Sequence, residues 1–525
     1  MKLQDYILPF ILALFTTLAI QYFWFGRIPT ELDVSTEHMD RTLSGRRYEA
    51  PRLSDVATHR PLNTEIDFFD EQPKRAPIIF TVDTHLARYE FSDAGAVLKR
   101  FEYKRKKNSD IDYISSLDIA ESNREIGMFL VAFNEKTPFY YDLVEQKETE
   151  CAYIVTYQAK TDHAIIHKTY TIQKNTFAIA LNIHIEPLHG GSIVPRVFIL
   201  NPYMRELGKK DSLSAIIDED GNVKIMMLKG DELIHSYWKV PKLFGIQDRY
   251  FVNAFVDDES TFINRAYFNY VEKSVIQIIF EGNEIAQPTE WNLRFYIGPK
   301  INKDLARVSQ GLTHVIDYGF LSYIRKPVSN VLRDILNFLY SYVHNYGLAI
   351  ILLILLVRLI MLPFNLRAKK AMRRQEEINK KIKYLKQRYK DDKEGFEQAQ
   401  TELIRKHGMP GLGGCLPSLL IQLPIFMGLY LVLSNAIELY QAPFLWISDL
   451  SEKDPYYILP VLTGIAYFFN SPFSDGKDIQ KYVTSCAMAL VIFGFTVNFS
   501  AGLSLYICIN TILFVLETIL SKHWM

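Results

Sequence analysis

The sequence is poor in cysteine. Its 525 residues hold four, Cys151, Cys415, Cys486 and Cys508. There is no CxxC pair and no His/Cys cluster, so neither a disulfide framework nor a zinc site is favoured. Cys151 stands alone in a polar region and is expected to be a small buried hydrophobe. Net charge is lacking as well: 59 Lys and Arg offset 59 Asp and Glu, so bulk charge points to neither a nucleic-acid nor a polyacid partner. No GxxxxGK[ST], HExxH or GxSxG occurs, which leaves an enzyme with a membrane anchor without a motif to carry it. No matching pair of broken helices and no inverted halves are visible, which counts against a secondary transporter of an anionic substrate. Neither a catalytic residue nor a cofactor is expected.

Apolar residues are plentiful, 49% of the chain, and unevenly spread. A hydrocarbon core of about 30 Å needs roughly 20 apolar residues in a helix. The first candidate span is Tyr6–Phe25. Its length and the closing Tyr22, Phe23, Trp24 and Phe25 favour an uncleaved anchor over a cleaved signal peptide. Five more candidates follow at Tyr346–Phe364, Cys415–Ile437, Tyr456–Phe469, Tyr482–Asn498 and Gly502–Leu520. The segment Arg367–His407 carries about twice as many basic as acidic side chains, which places it in the cytoplasm. The loop Glu438–Pro455, with Glu438, Asp449, Glu452 and Asp454 against Lys453, belongs outside. Counting spans then puts both termini inside and the large polar region outside.

That region reads as many short strands with turns between them, such as Ile78–Val82, Ala164–Ile172, Ala178–Ile185 and Trp291–Ile297, and so as an antiparallel sandwich. Its His and carboxylates, among them His85, His163, His167, His184 and His235, form no acid/base or metal spacing. Asn182, His184 and Glu186 are read as one solvated strand face. Between Lys326 and Val343, Val328, Leu332, Ile335, Leu336, Leu339 and Val343 recur at helical spacing. Pro327 suits the first turn of that helix, and its place directly before a span favours a helix lying in the external interface over a core helix. In the basic segment, Ile378, Ile382, Leu385 and Tyr389 form one stripe and Phe396, Ala399 and Leu403 a second, as in a two-helix hairpin. Its basic face suits solvent, anionic lipid or a docking partner, and charge alone does not choose.

Arg358 is a lone cation in an apolar run, flanked at helical spacing by Ile354, Leu355, Met361 and Leu362. It costs at least about 2.5 kcal/mol in lipid, so it faces protein or a water-filled cavity, or else snorkels to the inner surface. Polar stripes elsewhere could line such a cavity: Ser418 and Gln422, then Thr463, Tyr467 and Asn470, then Tyr506, Asn510 and Glu517. Each alone also fits ordinary helix–helix hydrogen bonding. Glu517 lies at roughly the depth of Arg358, and the two are candidates to pair.

The run Leu412-Gly413-Gly414-Cys415-Leu416-Pro417 into Leu420–Phe426 resembles the YidC family of membrane insertases. So do Gln441-Ala442-Pro443-Phe444, Asp449-Leu450, Asp454–Pro460, Val357-Arg358 before Met361-Leu362-Pro363, and Ala501-Gly502-Leu503 leading to Tyr506. Asp317-Tyr318-Gly319 and Gly298-Pro299 resemble the exit from that family's periplasmic domain. The resemblance implies a polytopic helical inner-membrane protein of six spans, five of them an insertase core, with a periplasmic β-supersandwich. The expected layout is an anchor over 1–26, a polar linker over 27–76, the sandwich over 77–311, an interfacial helix over 312–345, and the core over 346–525 with its cytoplasmic hairpin at 367–408. It implies a hydrophilic groove in which Arg358 attracts a client's acidic residues. It also implies nascent membrane proteins, the Sec translocon, and ribosomes or targeting factors as partners, with membrane lipid around them. Two departures stand out. Ile507 is apolar where many relatives have a second tyrosine, and the span around Cys486 to Ala489 lacks a Met/Pro-rich start. The chain ends at Met525, soon after Lys522, without the long basic tail of some relatives, so ribosome contact is expected at the hairpin and short inner loops. A non-catalytic assembly scaffold is the milder alternative.

Overall fold

The computed structural model describes residues 62–69, 75–107, 110–119, 127–134, 136–188, 192–202, 213–219, 222–228, 236–258, 261–272, 275–316, 322–389, 393–407, 416–470 and 479–523. The expected first span, Tyr6–Phe25, lies outside the described residues. The chain divides between residues 317 and 318 into two compact units.

The first unit is built of β-strands. Nine strands form one antiparallel sheet in the order β12 (Asn222–Met227), β11 (Ser214–Glu219), β14 (Phe244–Gln247), β15 (Phe251–Asp258), β18 (Thr289–Pro299), β9 (Ala178–Pro187), β8 (Ala164–Gln173), β7 (Ala152–Lys160) and β6 (Asp142–Glu148). The alternation that identifies these strands is also what buries them. In β9, Ile179, Leu181, Ile183 and Ile185 are fully buried, while Ala180, Asn182 and His184 between them are half-exposed. On that other face Asn182 donates to Glu290 at 2.7 Å, and His184 lies 2.9 Å from Glu186.

Two smaller sheets cover the buried face. One is β1 (Ile79–Asp83), β2 (Ala87–Ser92), β3 (Val97–Lys107) and β4 (Asp110–Asp118). The other is β13 (Tyr237–Lys239), β16 (Ile263–Glu272), β17 (Val275–Gly282), β10 (Arg196–Leu200) and β5 (Leu130–Ala132). Aromatic rings fill the seam: Phe91 meets Tyr170 at 4.7 Å, Phe129 meets Phe295 at 4.9 Å and Phe255 meets Phe280 at 5.4 Å. Each such fully buried ring contributes roughly 1.5–3 kcal/mol relative to exposure. A helix, α1 (Asn302–Val308), closes the unit and packs on β18.

Of the buried cations among the described residues of this unit, Lys168 and Arg196 are the most deeply buried, and backbone carbonyls hold both. Lys168 occupies an apolar position of β8, and its Nζ donates to Gly95 O, Ala96 O and Phe129 O at 3.0, 2.6 and 2.8 Å. Burial pulls its pKa well below the ordinary lysine range. Arg196 donates to Asn63 O, Glu65 O and Phe133 O at 2.8, 2.9 and 2.7 Å. It thereby lays residues 62–69, read from sequence as linker, against the five-stranded sheet, where Leu62, Ile66 and Phe68 pack on the core. Cys151, expected to be buried, is exposed. It sits in the tight β6–β7 turn, where Thr149 accepts from Ala152 N and the intervening side chains point outward.

The second unit is helical: α2 (Ser322–Val343), α3 (Tyr346–Arg388), α4 (Lys393–His407), α5 (Leu416–Asn435), α6 (Ile458–Asn470), α7 (Ile479–Thr496) and α8 (Ala501–His523). Pro327 is not in the first turn of α2, because the helix begins five residues earlier. The helix α3 runs unbroken from the apolar span through Pro363 into the basic segment, so span and first hairpin helix are one element. Among the described residues two helical stretches are long and apolar enough to cross a membrane, Tyr346–Phe364 and Ala501–Leu520. Three shorter apolar stretches are Ile425–Asn435, Ile458–Phe469 and Ser485–Thr496. Ile350, Leu353, Ile354, Leu429, Leu433, Leu503 and Leu505 form the centre of the unit's core. Gly347 is required where α3 meets the α5–α6 loop, since a Cβ there would come within 2.1 Å of the Phe444 ring.

The amphipathic α2 buries Leu332 and Leu336 against that core, while Val331, Phe338 and Tyr342 on its other side stay exposed. An ion pair fastens it. Arg333 Nε donates to Glu438 Oε1 at 3.1 Å and Nη2 to Oε2 at 2.8 Å. Burial pushes the Glu438 carboxyl up, but the Arg333 charge and hydrogen bonds outweigh it and hold the pKa below the ordinary value of 4.5. A carboxylate depressed in this way stabilises the fold above its unfolded pKa, and the stabilisation is lost as pH falls through the folded value. Glu438→Gln is therefore expected to cost about 2 kcal/mol at neutral pH. The gap to the unmodified protein should close as pH drops below 4.5. Thermal midpoints in detergent across that range check this, and a gap independent of pH contradicts it.

Candidate functional site

The buried stripe of α3 runs through Ile350 and Ile354, both 1% exposed, and the next position at that spacing is Arg358. Leu355, Leu356, Leu359, Ile360 and Leu362, on the rest of the helix surface, are exposed and suited to hydrocarbon. The guanidinium is thus directed inward by the same periodicity that makes the helix apolar. There it meets one face of α8, along which Tyr506, Asn510 and Glu517 recur at helical spacing.

All three guanidinium nitrogens find acceptors on α8. Arg358 Nε donates to Asn510 Oδ1 at 2.9 Å, Nη2 to Asn510 O at 2.8 Å and Nη1 to Glu517 Oε2 at 3.3 Å. Helix geometry explains how residues two turns apart converge. A backbone carbonyl points toward the C-terminus, while the side chain of Glu517 leans toward the N-terminus. Asn510 O uses a second lone pair, since a carbonyl oxygen accepts twice. Phe514 places its ring centroid 5.6 Å from the guanidinium carbon, close enough for a cation–π contact. The side chains of Arg358 and Glu517 remain 17% and 13% exposed, so the pair is sheltered and still reachable.

The structure brings Arg358, Asn510 and Glu517 together. Tyr506, one turn further along α8, is buried with its ring 6.1 Å from Phe426 on α5. Thr463 is wholly buried on α6, and its hydroxyl donates to Leu459 O of its own helix at 2.7 Å. Tyr467 is half-buried one turn beyond. Neither is hydrogen-bonded to Arg358 among the described residues. The side chains of Ser418, Gln422 and Asn470 lie outside the described residues.

The sequence shows Asp454 as an external loop charge and as part of a family motif, without a structural role. Its carboxylate accepts from Trp446 Nε1 at 3.1 Å, Tyr456 N at 3.1 Å and Leu459 N at 2.7 Å, and so caps the start of α6. The Asp-Pro pair ahead of an apolar helix was the available signal.

The family model described as YidC periplasmic domain matches residues 79–331, and the one described as 60Kd inner membrane protein matches residues 338–525. The membrane protein insertase YidC of Geotalea daltonii is 31% identical over 471 residues, covering 83% of this chain and 85% of the relative. The chain belongs to the YidC family. The membrane protein insertase YidC of Nitrosococcus oceani is 31% identical over 390 residues, covering 72% of this chain and 70% of the relative. Among solved structures, an active YidC insertase resolved with its first transmembrane domain matches at 17% identity with a TM-score of 0.35, over 87% of this chain and 95% of that one. That likeness is too loose to carry an argument. As a YidC-family chain, this is an inner-membrane protein with transmembrane helices and a β-rich domain of the family's periplasmic type.

Reversing either charge alone, Arg358→Glu or Glu517→Arg, leaves two like charges face to face in an apolar setting. Each single variant is expected to lower the thermal midpoint in detergent. The double reversal is expected to recover a coupling of roughly 1–3 kcal/mol. A double variant no more stable than the sum of the singles contradicts the pairing.

Proposed function

We propose that this chain, a membrane protein insertase of the YidC family, inserts and helps fold inner-membrane proteins through a hydrophilic groove centred on Arg358. The observation that carries the reading is the guanidinium itself, held inside an apolar helix by acceptors on α8 and still partly exposed. A cation placed there attracts the acidic residues of a client's short external segment. Ser418, Gln422, Thr463, Tyr467, Tyr506 and Asn510 supply the remaining polar lining in this reading. Partial hydration shortens the path of the polar segment through hydrocarbon and lowers its desolvation cost. The client's apolar helix then leaves for lipid along the third and fifth spans. No bond is made or broken, so the reading requires neither a catalytic residue nor a cofactor.

The topology that goes with this reading has six spans, both termini in the cytoplasm and the large β unit in the periplasm. The basic hairpin formed by α3 and α4 would then face the cytoplasm, where ribosome–nascent chains or targeting factors dock. The chain would act alone or with the Sec translocon. Its exposed Val331, Phe338 and Tyr342 give α2 an outward apolar side suited to the outer interface.

The test replaces the host's insertase with this chain, either intact or as Arg358→Ala, and follows protease protection of a single-span client with an acidic external tail. The intact chain is expected to restore insertion. The variant should be slower by about five- to tenfold, as one partly hydrated charge pair of roughly 1 kcal/mol implies. Equal restoration would show that the groove works by hydration alone. Failure of both, with both in the membrane, favours an assembly scaffold.

A further inference from the structure

The segment joining α5 to α6 turns its side chains the opposite way from a loop in water. Three carboxylates are engaged with the protein: Glu438 meets Arg333, Asp449 accepts from Ser451 N at 2.7 Å, and the buried Asp454 accepts from Trp446, Tyr456 and Leu459. Large apolar side chains point out instead. Leu445 is 76% exposed, Tyr456 68% and Tyr457 45%. Water favours the reverse, with charges solvated and apolar groups covered.

The outward placement is built into the backbone. Phe444 and Ile447 exchange two backbone hydrogen bonds, at 2.8 and 2.9 Å, and close a two-residue hairpin on Leu445 and Trp446. Leu445 has φ 51° and Tyr457 φ 55°. That is the left-handed region, which glycine fills without strain and bulky residues rarely enter. Phe444 and Ile447 are buried on either side of the turn, and Leu445 stands at its tip. Asp454 serves both exposed points at once. It holds the Trp446 ring beside one and caps the start of α6 beside the other.

Contacts with α3 give the depth of these tips. Gly347, at the start of the span, packs on the Phe444 ring, and Asn345 just ahead of it donates to Pro443 O at 3.3 Å. The loop is therefore level with the beginning of the apolar stretch Tyr346–Phe364. From that level the exposed apolar surface continues along Leu348, Leu352 and Leu355 of α3 and along Val461, Leu462 and Ile465 of α6.

We propose that the α5–α6 loop is a lipid anchor: Leu445 and Tyr456 insert at the boundary between headgroups and hydrocarbon, on the side of the membrane where the Tyr346–Phe364 span begins. The inference needs only that the chain crosses a membrane, as its family does, and it does not rest on the insertase reading. Boundary depth suits the ring of Tyr456, apolar with a hydroxyl at one end. Leu445 contributes by leaving water.

The test uses the full chain in vesicles of phosphatidylethanolamine and phosphatidylglycerol, with its native cysteines replaced by alanine. A fluorophore is attached to one introduced cysteine, Leu445→Cys or Tyr456→Cys. Val240→Cys is the comparison, since Val240 lies on the β unit, is likewise exposed and also has a left-handed backbone. Quenching is measured with iodide on both sides of the vesicle and with lipids spin-labelled near the headgroup or at the chain end. Lipid quenching at 445 and 456 is expected to exceed that at 240 about tenfold, as transfer of one leucine-sized group from water implies, and iodide quenching to fall by a similar factor. The headgroup-proximal spin label should quench more than the chain-end label, because the loop is at the edge of the span. Iodide quenching equal to that at 240 shows a loop in water and overturns the proposal. Protection from iodide and lipid quenchers together shows that protein covers the tips, and overturns it too. Client insertion by the same preparation in either case leaves the insertase reading standing.

Discussion

A guanidinium cannot lose its charge at any ordinary pH, and it cannot sit in hydrocarbon without acceptors. Placing one on the apolar α3 therefore dictates what must stand opposite. Here α8 presents a backbone carbonyl, an amide oxygen and a carboxylate on a single face, from Asn510 and Glu517. Two helices that would otherwise meet through aliphatic packing alone are given a defined rotation and depth by these three bonds. Around them Ile350, Ile354, Leu503 and Leu505 pack as an ordinary apolar core. The polar contact selects the register and the apolar contacts supply the bulk of the stability.

The β unit holds its most deeply buried cations in a different way. Lys168 and Arg196 each donate to three backbone carbonyls, and each ties together strands or segments distant in sequence. Such arrangements are fixed, since a carbonyl cannot swing away without breaking the fold. Arg358 instead combines two acceptors from Asn510 with a side-chain carboxylate, that of Glu517. The Arg333–Glu438 fork keeps α2 against the core.

Much of this was legible in the sequence. The strand alternation of Ala164–Ile172 and Ala178–Ile185, the stripe of α2 and the inward direction of Arg358 all follow from periodicity, because burial on one face is what those periods encode. The face shared by Tyr506, Asn510 and Glu517 was readable for the same reason, and so was Glu517 as a partner by depth. What periodicity does not carry is which polar atom meets which. The alternation of β8 puts Lys168 on the buried face, but it does not show the carbonyls of Gly95, Ala96 and Phe129 that receive it. The docking of residues 62–69 depends on carbonyls, which no side-chain pattern displays. Cys151 was misread because composition says nothing about a turn two residues wide. The span Tyr346–Phe364 and the hairpin from 367 were read as separate elements, whereas one helix runs through both without a break.

The most direct measurement asks where a client's acidic tail lies during insertion. A photoreactive residue at Phe514, beside the guanidinium and 37% exposed, is compared with one at Leu359, 70% exposed on the lipid-suited surface of α3. If the groove at Arg358 reads acidic segments, a stalled client should be captured through its tail at position 514 and not at 359. Equal capture at both positions, or none at 514 while insertion proceeds, would contradict the account.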